Sequence, residues 1–179
     1  MINKYFCIVV VVGTILLSAC SAEKTEQKVI EDKTVEDKVI VDDTTELNLI
    51  ELSSKEEEGY SNFQKDLNLK HLSGLEPISI AKLYIKAGFD KKYDVQYALY
   101  TDREGYVQWS KEEDEKIPES DRGSDVQNIK QFNNIDKGAF VQTSDYEGYI
   151  EYDLGEGTNG FQMIKNEDGV WQVAFMPIQ

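Results

Sequence analysis

The sequence predicts an α+β protein in which amino-terminal helices pack on one face of a curved antiparallel sheet. Three observations carry this. Apolar residues recur at helical spacing between Pro77 and Tyr100, and short aromatic and β-branched segments bounded by Gly, Asp and Asn follow Gly138. The residues ahead of both have a composition unlike either. Helices that precede a run of strands cover one side of an antiparallel sheet.

The chain opens with Lys4 and an apolar run from Tyr5 to Leu17, interrupted by Gly13 and Thr14. The run is shorter than the roughly 20 residues a membrane-spanning helix needs, so it reads as the core of a signal peptide, residues 1–19. Leu17-Ser18-Ala19-Cys20 then places small residues ahead of a cysteine, after which the chain turns polar. This tetrad resembles the lipobox of bacterial lipoproteins, and the resemblance implies cleavage before Cys20 and a diacylglycerol on its thiol. Two acyl chains, at about 0.8 kcal/mol for each buried methylene, give a stable membrane anchor where one does not. Cys7 would leave with the signal peptide and Cys20 would carry lipid, so the mature chain would have neither a free thiol nor a disulfide.

From Ser21 to Gly59 there is no aromatic and no proline, and acids greatly outnumber bases. Such a stretch buries too little apolar surface to offset the entropy of ordering, and residues 20–71 are expected to be an acidic flexible spacer. A coil of about 50 residues spans near 40 Å, enough to lift a domain above lipid headgroups. The whole chain carries a formal net charge of -15, which repels phosphate backbones and argues against nucleic acid as a partner. With His71 the sole histidine, no metal site and no nucleophilic triad is expected, and no cofactor.

The folded domain is expected over residues 72–179, a usual size for one domain. Pro77 suits a first helical turn, and Ile78, Ala81, Ile85 and Phe89 form one stripe. A second short helix is expected to carry Tyr93, Tyr97 and Tyr100. Ser110 with Glu113 has the spacing of a capping box and predicts a third short helix over Lys111 to Lys116. "PESDRGSDVQN" reads as a loop, and its continuation through Ile129 and Phe132 as a helical turn or a first strand. "GAFVQTS", "GYIEYDL", "GFQMIKN" and "VWQVAFMPI" read as antiparallel strands, with Asp168-Gly169 as a two-residue hairpin turn needing a left-handed backbone at both positions. In the last strand Trp171, Val173 and Phe175 should face the core and Gln172 and Ala174 should not.

This order of helix pair, third short helix, meander and terminal tryptophan strand resembles the nuclear transport factor 2-like fold, and in particular small lipoproteins of that fold from Gram-positive bacteria. The resemblance spans Pro77 to Gln179 and implies a cone-shaped half-barrel with a hydrophobic pocket at its open end. Its implied pocket lining is Tyr84, Tyr97, Tyr100, Trp109, Tyr152 and Trp171, each of which also reads as a packing residue. Isomerases of the fold would need a buried carboxylate base; Asp94 and Glu151 are within range of such a pocket, but no spacing argues for either, and no catalytic residue is assigned. "GEGTNG" lacks the lysine and the following helix of a phosphate loop and reads as a hairpin.

The expected function is a lipid-anchored extracytoplasmic binding or interaction module, held to the membrane through Cys20, taking a small apolar ligand or an envelope protein and able to pair with a second copy through its sheet face. An isomerase- or hydratase-like enzyme with a buried carboxylate is the alternative.

Overall fold

A computed structural model describes residues 50–155 and 157–175. The expected signal peptide, Cys20 and the first part of the spacer lie outside the described residues, as does Met176–Gln179.

The described chain begins with a correction. Residues 50–71 were expected to belong to the spacer, yet Ser54–Asp66 forms helix α1, and a 3-10 turn follows at Leu69–Leu72. Two local features explain this. Ser53 caps the helix through the Glu56 amide while the Glu56 carboxylate reaches back to the Ser53 amide at 2.6 Å, a reciprocal capping box. Gly59, Tyr60 and Phe63 then recur at helical spacing and are buried. Phe63 and Leu72 have no exposed surface at all, so the domain includes α1. A third tie is ionic. Lys82 donates to Glu56 at 2.7 Å, joining α1 to the next helix through side chains only 13% and 7% exposed.

Helix α2, Pro77–Phe89, starts on its proline as expected and buries Ile80, Leu83, Tyr84 and Ala87. Helix α3, Tyr93–Ala98, returns against it. Helix α4, Lys111–Asp114, carries the expected capping box from Ser110 and Glu113. The stretch read as a loop up to Asn128 is shorter than expected, because Ser124 and Gln127 form a further capping box and α5 runs over Asp125–Phe132.

Four strands follow as an antiparallel meander in the order β1-β2-β3-β4: Ala139–Gln142, Glu147–Asp153, Thr158–Lys165 and Trp171–Val173. Phe140 pairs with Ile150, and Ile150 with Phe161, so these side chains share the core face. Phe140 lies across β2 because Gly148 has no side chain; a Cβ there would overlap the Phe140 ring and approach the Val141 carbonyl. The core fills the space between this face and the helices, with Ile80, Leu83, Ile150, Phe161 and Met163 among its members and α2 lying against β4.

Two strand expectations are corrected. The β3–β4 connection is wider than a two-residue turn: Asn166 accepts from the Gly169 amide, donates to the Val170 carbonyl and caps the Val170 amide through its side chain at 2.9 Å. Gly169, at φ 81°, takes the left-handed backbone there and Asp168 does not. Gln172 is 1% exposed although alternation turns it away from Val173. The chain from Leu99 to Thr101 runs beside β4 in a parallel bridge, and the Gln172 amide group donates to the Tyr100 carbonyl at 2.8 Å.

Candidate functional site

The segment joining helices to sheet builds the most elaborate surface feature. Tyr93 and Tyr97, four residues apart, share one face of α3. Two residues beyond its end the chain is pinned to β4, since the Thr101 amide donates to the Val173 carbonyl at 2.8 Å and the Val173 amide to that of Leu99 at 2.9 Å. Tyr100 is thereby carried to the end of β4, where Phe175 stacks on it at 4.5 Å between ring centres and 14° between planes. Trp109 meets Phe175 edge-on at 4.4 Å and Tyr100 at 5.5 Å. From α2 below, Tyr84 reaches Tyr100, their hydroxyls 2.6 Å apart, and the Tyr97 hydroxyl donates to the Trp109 carbonyl at 3.0 Å.

Of the six residues expected to line a pocket, Tyr84, Tyr97, Tyr100 and Trp109 gather with Phe175 as a fifth ring, but only Tyr97 and Tyr100 border a groove; Tyr84 and Trp109 pack against them. The other two do not join them. Tyr152 donates to the Gln131 carbonyl at 3.0 Å and accepts from Asn159 at 3.1 Å, tying β2 to α5. Trp171 packs on Phe140 at 4.8 Å under the Lys165 ammonium. Both are packing residues: they are buried on the core face, and their register sets them away from the stretch where Tyr100 meets β4.

Two grooves flank this cluster. One of about 310 Å³ has Tyr97, Tyr100 and Phe175 as its floor and Leu67, Leu69 and Val107 on its walls, with Asp102 and Gln172 as polar points. Leu67 stands in the wall with a left-handed backbone, φ 58°, an arrangement that costs a branched residue about 1–2 kcal/mol. Val107 is 48% exposed, a large apolar side chain left in water at the groove's edge. The second groove, about 220 Å³, lies between α3 and α4 and includes Asp94, Glu115 and Arg122. Leu67, Leu69, Val107 and Phe175 are pocket residues that sequence reasoning missed; the first two were assigned to the spacer.

The titratable groups of the cluster are shifted by burial and tied by hydrogen bonds. Burial pushes the Tyr84 phenol well above its ordinary range, with the neighbouring Tyr100 adding to the rise. Burial raises Tyr100 as well, its hydrogen bond with Tyr84 offsetting part of the effect. Both phenols remain protonated at neutral pH. The nearest buried carboxylate, Asp114, accepts from the Trp109 indole at 3.2 Å and from Arg122 at 3.0 Å, and Arg122 also donates to the Asp114 carbonyl. Its oxygens are therefore engaged in holding the excursion from Thr101 to Ser124 in place. Asp94 borders the second groove and is exposed; Glu151 is exposed on the sheet face turned away from Ile150 and lines neither groove. The tyrosine–carboxylate bond from Tyr106 to Glu147, 2.7 Å, also falls outside both. His71 pairs with Asp66 at 3.2 Å, and among the described residues no group of three or more His, Cys, Asp or Glu is placed to hold a metal.

The fold and grooves define an α+β protein with an aromatic, partly apolar surface site. Compared with family models, curated proteins and solved structures, the chain has no match in any of the three.

Proposed function

We propose that this chain is a lipid-anchored extracytoplasmic binding module, tethered through Cys20, whose site is the groove over Tyr97, Tyr100 and Phe175. The observation that carries the binding reading is that groove's composition: aromatic Tyr97, Tyr100 and Phe175, aliphatic Leu67, Leu69 and the exposed Val107, and a few polar side chains, of which Asp102 is exposed. An enzyme of the isomerase type would need a carboxylate free to move a proton in an apolar cavity, whereas both oxygens of Asp114 accept hydrogen bonds. The anchor is supported by the sequence alone, from Lys4 through the lipobox at Cys20. Among the described residues no helix is long and apolar enough to cross a membrane.

We infer as well that sheet and helices form the cone of nuclear transport factor 2-like domains. The meander order, α2 lying against β4 and the bridge from Tyr100 to Val173 support that reading. The proposal is tested in two arms. Cells fed labelled palmitate should incorporate it into the natural chain and not into Cys20→Ser. A thermal-shift screen of small amphiphiles should stabilise the natural chain, and Val107→Asp should lose the effect while still melting cooperatively. Label in the Cys20→Ser chain, or stabilisation undiminished by Val107→Asp, would refute the respective half.

A further inference from the structure

The two grooves share one residue, Tyr97, which lines both. Its ring is held as a ridge by edge contacts with Tyr100 and Phe175, each 6.2 Å away between centres. On one side of the ridge the lining is mainly aliphatic and aromatic with a single ionic side chain, Asp102; on the other it carries Asp94, Lys111, Asp114, Glu115 and Arg122. We propose that the two together form a single site for a small amphiphilic cation, an alkylammonium or arylalkylammonium, with its charge beside Asp94 and its apolar body between Leu69 and Val107. This deepens the binding reading above and rests on it.

Charge accounting in the polar groove selects the sign. The Arg122 charge is matched by Asp114 at 3.0 Å, and Lys111 lies 3.8 Å from Glu115. Asp94, in contrast, has no cation within 4 Å among the described residues. The groove already holds one cation on an aromatic face, the Arg122 guanidinium 4.2 Å from the Tyr93 ring centre. Asp102 at the apolar groove's rim and the chain's net charge of -15 further favour a positive head over a negative one.

The test is calorimetric titration of the full-length chain with decyltrimethylammonium, decyl maltoside and decyl sulfate, each below its micelle concentration. The cation should bind about fivefold more tightly than the maltoside, the scale of one exposed ion pair, and the sulfate most weakly. Asp94→Asn should remove that preference, and Asp136→Asn, outside both grooves, should leave it intact. Equal affinities for all three probes, or equal losses in both variants, would overturn the cation assignment. If cation and maltoside bind alike and Leu69→Asp abolishes both, the groove stands as a binding site and the cation assignment falls. If none of the probes binds, both fall.

Discussion

Glu56 shows how much one side chain settles. It belongs to an acidic run, Glu56-Glu57-Glu58, that reads as a solvated face, yet it is 5% exposed while Glu57 and Glu58 are in water. Burial pushes its carboxyl up, but hydrogen bonds from Lys82, Ser79 and Ser53 outweigh that and hold it at about 2, below its ordinary 4.5. A depressed carboxyl contributes stability that is fully present above the unfolded value and is lost as pH falls through the folded one. Glu56→Gln should therefore cost roughly 3 kcal/mol at pH 7, the scale of breaking a buried pair. The difference from the natural chain should shrink between pH 4.5 and about 2; urea unfolding at several pH values checks this, and a constant difference would show that the charge is not responsible. Composition alone could not separate Glu56 from its neighbours, because its partner Lys82 lies in the next helix.

At the scale of elements, legibility followed locality. α2 and its proline start, the Ser110 capping box and the four strands all announce themselves through spacing within one segment. The same capping signature occurs at Ser53 with Glu56 and at Ser124 with Gln127, and marks two helices where a spacer and a loop were expected. In the first case the acidic composition outweighed a readable signal: the box followed by Tyr60 and Phe63 at helical spacing. Gln172 is different in kind. Alternation sends it outward, and only the non-local chain from Leu99 to Thr101 covers it. The corrected boundary has a direct consequence. A chain beginning at residue 72 should not unfold cooperatively, one beginning at Ile50 should, and Phe63→Ala in the latter should cost about 4 kcal/mol. Cooperative melting of the shorter chain at the same temperature would return α1 to the spacer.

For the molecule as a whole, the helices-then-meander order was readable from the sequence, and the site was readable in part. Tyr84, Tyr97, Tyr100 and Trp109 were expected to line a pocket; they cluster, though Tyr84 and Trp109 line neither groove, and the residue that organises them, Phe175, meets Tyr100 only because a parallel bridge brings two distant segments side by side. Tyr152 and Trp171 were chosen on residue type, which does not say toward which end of a sheet a ring lies. The central claim is that the surface beside Trp109 receives the ligand's apolar body and the surface beside Trp171 does not. Its most direct test uses the two indoles as separate reporters, with Trp171→Phe leaving Trp109 alone and Trp109→Phe leaving Trp171. Titrated with decyl maltoside below its micelle concentration, the emission of Trp109 should change to saturation while that of Trp171 stays constant. A silent Trp109, or a response from Trp171 instead, would contradict the account.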